Sequence, residues 1–398
     1  MTLTMSDTAP IRATTVASQA TTRDPRLDFF RGIAMFIILI AHVPGNWLTL
    51  WIPARFGFSD ATETFVFCSG MASAIAFGKV FRERGMMMGS ARVTFRIWQV
   101  YWAHLCLFFA IAATMALLNS WFPDGRDYVG QLNLYPFFKR PMEQLPALFT
   151  LTYVPNYFDI LPMYLVILAM MPAFVMLARV HIALAMSAVI ALWLLANFAG
   201  LSFPAEPWSE REWFFNPFGW QLVFFTGFAL MMGWLPAPPK NKLLFGVAVA
   251  IILVSLPYAY FGIYREIPFF ADGRKDIAFL RAKTDFGILR YVHFLATAYV
   301  AWVLVGPNGD NIRASARDGA LAWVWRHVLA VIMKVGQQSL AVFIASMYLA
   351  RLLGVALDQV GRSHLSMLYV NAVGFALLIM VAYGAGWFKS HPWRKARV

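Results

Sequence analysis

The chain has 398 residues, of which 60% are hydrophobic and 13% charged, and its formal net charge is +13. Soluble domains carry about twice this charged fraction, so the composition excludes an ordinary soluble protein and predicts a polytopic membrane protein. Basic patches interleaved with aromatic residues are absent, so nucleic acid is not an expected partner. The positive excess is typical of cytoplasmic loops. Cys68 and Cys106 both lie in apolar runs, which predicts no disulfide framework.

The chain divides into two tails and one large hydrophobic region. Residues 1–25 are rich in Ser, Thr and Ala and lack an apolar core, so we expect a disordered cytoplasmic tail and no signal peptide. Residues 389–398 predict a basic cytoplasmic tail. The intervening residues 26–388 predict one transmembrane domain without a repeat or a second soluble domain.

About ten segments approach the roughly 20 apolar residues that a membrane-spanning helix needs. The predicted fold class is therefore all-α, and an even number of spans places both termini on one side. Lys and Arg are more frequent in the loops on that side, which predicts that it is the cytoplasm. The ninth segment contains Lys334 and Gly336, so we expect it to be bent or broken. The segments lie near 29–50, 60–80, 93–118, 160–178, 182–200, 217–235, 243–262, 288–305, 325–354 and 366–387.

The first apolar segment carries three ionisable residues, Asp28, Arg31 and His42. At 100° per residue, the step from Arg31 to His42 returns to within about 20° of the same helix face. Asp28 lies near that face as well. Ionisable side chains inside a membrane are functional candidates by default. The alternative is that His42 is a packing residue with one backbone partner.

Asp60 and Glu63 open the second segment and share a helix face, because they are three residues apart. If the first helix continues to residue 50, His42 lies about 12 Å below the outer boundary and Glu63 about 8 Å below it. These depths predict that Glu63 or Asp60 contacts His42, directly or through water. Alternatively, Asp60 stabilises a helix N-terminus.

A basic cluster lies between the second and third segments, on the predicted cytoplasmic side. Such a cluster suits the phosphates of a nucleotide-bearing thioester. It equally suits the positive-inside rule and anionic lipids. The cluster consists of Lys79, Arg82, Arg84, Arg92 and Arg96.

The outer ends of three later segments carry polar residues within apolar runs. Each of them alone is explained as a helix cap or an interfacial anchor. Because they share one depth, we expect them to line a common pocket. The aromatic loops nearby are either an interfacial belt or a platform for sugar rings. The polar residues are Asp159 at the fourth segment, Asn216, Trp220 and Gln221 at the sixth, and Arg290 and His293 at the eighth.

Several of these stretches resemble known families. The spacing from Arg31 to His42 on a first transmembrane helix, with the arginine-rich segment 82–96, resembles the membrane-bound acyltransferase-3 superfamily. More specifically, residues 23–388 resemble the OpgC family, which comprises succinyltransferases for osmoregulated periplasmic glucans of Gram-negative bacteria. The segments that carry this resemblance are 59–70, 157–164, 216–221 and 336–340.

The resemblance implies an inner-membrane O-acyltransferase whose acyltransferase domain spans 26–388. It would move an acyl group, here succinyl, from cytosolic acyl-CoA to hydroxyls of periplasmic glucans. Acyl-CoA (succinyl-CoA) is then a donor substrate, and no permanently bound cofactor or metal is expected. His42 is expected to act as general base, oriented by Glu63 or Asp60.

The same scheme assigns the remaining predicted contacts. The CoA phosphates are expected at the cytoplasmic rim, with Arg31 as the nearest cation inside the membrane. Arg290 is expected to meet the second carboxylate of a succinyl donor. Donor-binding residues are thus Arg31, Arg82, Arg84, Arg92 and Arg96, and substrate-binding residues are Asp28, Asp159, Asn216, Trp220, Gln221, Arg290 and His293.

Other hypotheses stay open at this point. Transfer through an acyl-histidine would use the same residue, His42. An O-acetyltransferase of another surface polysaccharide is an alternative enzyme. A transporter or flippase of anionic glycans would also place polar residues at mid-depth. In a structural or lipid-binding subunit, Arg31 and His42 would simply be paired with other groups of the fold and would have no catalytic role. The sequence also leaves the acyl group, the glucan and the oligomeric state open.

Overall fold

A computed structural model describes residues 24–123, 125–313 and 319–394. The regular structure of these residues is helical apart from an isolated bridge between Pro204 and Glu212, which confirms the all-α class. Of the predicted tails, residues 1–23 and 395–398 lie outside the described residues. The helices are α1 Pro25–His42, α2 Ala61–Ser73, α3 Lys79–Trp121, α4 Tyr135–Lys139, α5 Pro141–Phe149, α6 Ile160–Val180, α7 Ile182–Phe198, α8 Pro217–Met232, α9 Lys242–Ala259, α10 Phe261–Tyr264, α11 Pro268–Asp276, α12 Ile288–Leu304, α13 Ala320–Gln337, α14 Ser339–Val360 and α15 His364–Lys389.

In the described part of the chain, five helical segments are long and apolar enough to cross a membrane. Three shorter apolar helices, α7, α8 and α12, accompany them. These helices support a membrane protein, whereas the number of ten spans and the side of the termini stay predictions. The five segments are Ala61–Trp121, Ile160–Val180, Lys242–Ala259, Ser339–Val360 and His364–Lys389.

Helix α1 is shorter than the sequence predicts. It ends at His42, and Pro44 and Gly45 follow, of which Gly45 takes φ +70°. Neither residue type continues a helix well. The predicted extension to residue 50 is therefore wrong, and Trp47–Leu50 form a separate 3₁₀ turn. His42 lies at the C-terminal end of α1 and not two turns inside it.

The predicted break in the ninth segment is confirmed. Helix α13 stops before Gln338 and α14 begins immediately after it. Helix α14 then runs parallel to α1: Ser339 contacts Arg31, and further along Gly354 packs against Pro44. Helix α14 therefore contacts α1 at Arg31 and the chain just beyond His42 at Pro44.

A turn at Gly85 divides the basic cluster. The helical path of α2 continues through a π-helical turn, Ala74–Gly78, into the first residues of α3. Gly85 then takes φ +80° and ψ 179°, a conformation that is costly for any residue with a Cβ atom. Beyond this turn, Gly89 packs against the ring of Phe81, so the two arms of the turn lie against each other.

Glycines bring α2 and α8 close together. A Cβ atom on Gly70 would collide with the carbonyl oxygen of Phe224, and one on Gly227 would collide with that of Phe67. Small residues at such crossings are typical of packed membrane helices. Helix α1 packs in turn against α2, α13 and α14, so it lies in the interior of the bundle.

Candidate active site

His42 is held by its own helix. Its Nδ1 lies 2.7 Å from the carbonyl oxygen of Ile38, one turn earlier. A carbonyl oxygen only accepts, so Nδ1 carries a proton, and in the neutral ring Nε2 is the unprotonated nitrogen. The imidazole is partly exposed. His42 therefore presents an oriented hydrogen-bond acceptor at the end of α1.

Tyr157 and Arg351 form a cluster with this imidazole. The ring of Tyr157 meets that of His42 edge to face, with 5.3 Å between the centroids. The guanidinium carbon of Arg351 lies 3.7 Å from the Tyr157 ring centroid, as in a cation–π contact. The Tyr157 hydroxyl donates to the carbonyl of Met347 at 2.8 Å. Tyr157 also takes φ +86°, a strained conformation of the kind found at functional sites.

The sequence reasoning misses Arg351, although a signal for it exists. It is a cation inside the apolar segment Ser339–Val360, and the rule that selects Arg31 applies to it equally. Its Nε is buried and has no hydrogen-bond partner among the described residues. Arg351 thus places a positively charged guanidinium beside the Tyr157–His42 pair, where it can bind a negatively charged group.

Among the described residues, neither Glu63 nor Asp60 makes the predicted direct hydrogen bond to His42. Glu63 is fully buried, and its Oε1 accepts from Arg290 through Nε at 2.7 Å and through Nη2. Its Oε2 accepts from the backbone N–H of Asp60 at 2.8 Å. Asp60 caps α2 and binds Lys283 at 2.6 Å. The direct contact is absent because His42 takes a backbone partner, while cations distant in the sequence compensate both carboxylates; contact through water stays a prediction.

The charge of Asp60 is fixed by these cations. Burial raises the pKa of its carboxyl, but the charges of Lys283 and Arg290 outweigh burial and hold that pKa well below its usual range. Asp60 is therefore an ion-pair member at neutral pH and not a proton carrier.

The basic cluster lines a cavity of about 540 Å³ at the Gly85 turn. This volume falls in the range of roughly 300–1,000 Å³ that is common for organic ligands. Arg82 and Arg96 lie outside its lining, and Arg96 instead donates to Gln99 at 3.3 Å. We call this space the basic cavity. It is lined by Lys79, Val80, Glu83, Arg84, Met88, Ala91, Arg92 and Phe95.

Arg31 and Asp28 occupy the other end of α1. Arg31 Nη2 contacts the hydroxyl of Ser339, and the backbone carbonyl of the fully buried Asp28 packs against Gly336. About 16 Å of helix separates Arg31 from His42. The predicted placement of these residues on one helix is confirmed, and the substrate contact of Asp28 stays a prediction.

Three residues of the predicted outer pocket have partners within the fold. Asn216 caps α8. The indole N–H of Trp220 donates to the carbonyl of Lys283 at 2.9 Å, and Gln221 donates to that of Val189 at 2.7 Å. All three predicted residues are fully buried. They tie loops and helices of the fold together, and their contact with a substrate stays a prediction.

The other three residues lie in different surroundings. Asp159 accepts from the backbone N–H of Phe214 at 3.2 Å, and burial raises its pKa to about 6. His293 Nδ1 lies 2.7 Å from the hydroxyl of Ser59. Arg290 lines a small cavity and is paired as described above. Of these six residues, only Arg290 lines either the basic cavity or this small cavity, and the common pocket stays a prediction.

Comparison with known proteins gives one match. The family described as OpgC protein matches residues 23–390, which include every helix from α1 to α15. The chain belongs to the OpgC family. Searches of curated proteins and of solved structures give no match. The OpgC match covers the His42 cluster and both cavities. Within the described residues, no group of three or more His, Cys, Asp or Glu side chains is placed to hold a metal.

Proposed function

We propose that this OpgC-family protein is an O-acyltransferase of the bacterial inner membrane. It moves a succinyl group from cytosolic succinyl-CoA to a hydroxyl of a periplasmic glucan. Family membership supports acyl transfer and these kinds of donor and acceptor. The mechanism rests on one observation, the hydrogen bond from His42 Nδ1 to the carbonyl of Ile38, because it leaves Nε2 oriented as an acceptor.

His42 acts as the general base. Its Nε2 takes the proton of the glucan hydroxyl while the hydroxyl oxygen attacks the thioester carbonyl carbon. The carbonyl electron pair moves to oxygen and gives a tetrahedral oxyanion. The C–S bond then breaks, the CoA thiolate takes the proton from His42, and the neutral ring is restored.

Arg351 stabilises the oxyanion. Its guanidinium is held against the ring of Tyr157, which contacts His42. An oriented donor of this kind is typically worth about 3–4 kcal/mol of barrier lowering. The strained backbone of Tyr157 supports a positioning role for this residue, because its ring contacts both the base and the cation.

The basic cavity binds the CoA phosphates. Lys79, Arg84 and Arg92 supply the charge, and Met88 and Phe95 supply apolar surface for the rest of the donor. Arg31 and Ser339 then lie on the path along α1 and α14 towards His42. Arg82 and Arg96, which do not line this cavity, are available to anionic lipids.

A pair of histidine variants tests the base. His42→Ala should reduce the initial rate of transfer from labelled succinyl-CoA to glucan by roughly 10²–10⁴-fold. His327→Ala is a matched control, because Nδ1 of this exposed residue makes the same bond to its own helix, 2.8 Å from the carbonyl of Trp323. Equal rates for both variants would remove His42 from the mechanism.

Rapid mixing separates the remaining alternatives. Direct transfer predicts no label on the protein when labelled succinyl-CoA is mixed without acceptor, whereas retained label would favour an acyl-histidine. Movement of a glycan into proteoliposomes without release of CoA would favour a transporter instead.

A further inference from the structure

A second cavity, which we call the arginine cavity, lies beside the Asp60–Arg290 pair. Its volume is about 100 Å³. Four arginines and one carboxylate contribute to its wall. The four arginines come from separate parts of the chain: the 3₁₀ turn before α2, α11, the turn after α11, and α12. They are Arg55, Arg274, Arg281 and Arg290, and the carboxylate is Asp60.

The protein does not neutralise the positive charge of this cavity. The carboxylates of Asp60 and Glu63 are both occupied by Lys283 and Arg290. Among the described residues, no carboxylate pairs with any of the other three arginines. Positive charge therefore exceeds negative charge around the cavity, which attracts an anion.

The three unpaired arginines are held in place by backbone carbonyls. Arg55 Nε donates to the carbonyl of Thr49 at 3.1 Å, and Arg281 Nε to that of Arg274 at 3.2 Å. Arg274 Nη1 donates to the carbonyl of Tyr258. A guanidinium has five N–H donors, so each side chain keeps donors for a ligand. The donors are thus oriented before any ligand binds.

Electrostatics agree with this geometry. Burial, and then the like charges of Arg274 and Arg290, lower the pKa of Arg281. An anion between these groups would relieve their repulsion.

The size of the cavity limits its ligand. Sites for whole organic ligands usually exceed about 300 Å³. A cavity of about 100 Å³ is too small for a sugar ring or a nucleotide, but it can hold a single carboxylate or phosphate group.

We propose that the arginine cavity binds one small oxyanion, a carboxylate or phosphate, that a substrate carries. Arginine forks match the planar oxygens of such groups. The group comes either from the far end of the succinyl chain or from an anionic substituent of the glucan, and this choice of source rests on the proposed function. The cavity replaces Arg290 alone as the carboxylate site, because Nε and Nη2 of Arg290 are already bonded to Glu63.

Direct binding tests the site without any turnover. Titration of the purified full-length protein with succinate and with inorganic phosphate, followed by calorimetry, should show saturable binding of at least one anion. Arg281→Gln and Arg274→Gln should each weaken it at least tenfold, and Arg281→Lys should weaken it less. Arg140→Gln is the matched control, since this exposed arginine pairs with Glu143, is not part of the cavity wall and should leave binding unchanged. No saturable binding, or equal binding by all variants, would overturn the proposal.

Transfer assays then identify the source of the anion. If the succinyl chain supplies it, Arg281→Gln should lose activity with succinyl-CoA but keep it with acetyl-CoA. If the glucan supplies it, the variant should lose activity with succinylated glucan but keep it with neutral glucan. Unchanged activity with all four substrates would refute a substrate role. Absence of transfer by the parent protein would refute the proposed function while leaving the binding result intact.

Discussion

Replacing Glu63 with Gln is expected to destabilise the fold by about 3–5 kcal/mol, the usual result of breaking a buried ion pair. The carboxylate accepts from Arg290 on one oxygen and from the backbone of Asp60 on the other. An amide has a single acceptor oxygen, so one of these donors would face an NH₂ group. That mismatch alone costs about 1–3 kcal/mol, and loss of the counter-charge of Arg290 adds to it.

The free energy of unfolding in mixed micelles measures this cost. Glu143→Gln serves as control, because Glu143 pairs with Arg140 at 3.7 Å and both side chains are 65% exposed. It should change stability by less than about 1 kcal/mol. The double variant Glu63→Gln/Arg290→Gln should be less destabilised than the sum of the single variants.

Two results would refute the reasoning. A change below 1 kcal/mol for Glu63→Gln would mean that the pair is not buried as described, and strict additivity would mean that Glu63 and Arg290 are not coupled.

A third comparison concerns catalysis. Activity per folded molecule should fall far less in Glu63→Gln than in His42→Ala, and an equal fall would restore Glu63 as the partner of the base.

Three further predictions address other parts of the molecule. Arg351→Gln should lower kcat by roughly 10²–10³-fold, and an unchanged kcat would exclude it as the oxyanion donor. Gly85→Ala should cost about 1–3 kcal/mol of unfolding free energy, because Gly85 has φ +80°; an unchanged stability would contradict the strained turn. Burial raises the pKa of the Asp159 carboxyl from 3.8 to about 6, so folding favours the protonated carboxyl. The resulting contribution to the free energy of unfolding is complete below about pH 4 and is lost as the pH rises to about 6. Above this window Asp159→Asn should be more stable than the parent by up to about 3 kcal/mol, and an identical pH profile for both proteins would refute this.

Features that depend on local sequence were predictable. The apolar segments, the break before Ser339 and the placement of Arg31 and His42 on one helix all follow from periodicity and from helix-breaking residues. The early end of α1 also had a local signal in Pro44 and Gly45, but the apolar run that continues to Leu50 masked it.

The pairing of charges was not predictable in the same way. Glu63 binds Arg290, 227 positions away in the sequence, and a single sequence contains no information on which distant cation meets a buried carboxylate. The same holds for Tyr157, which has a positive φ and whose ring contacts both His42 and Arg351. Tertiary packing alone determines these contacts, so the depth of a residue in the membrane was not enough to identify the direct partners of His42, Glu63 and Asp60.

The anchoring of His42 to the carbonyl of Ile38 has a consequence for how acceptor preference can change. The hydrogen bond that orients the imidazole is made within α1, and no side chain of the loops 199–216 and 260–287 takes part in it. Under the proposed function, substitutions in those loops can therefore alter which acceptor alcohol is admitted without disturbing this hydrogen bond. Exchange of these loops between family members would then be a direct route to new acceptors that keeps His42 oriented by α1.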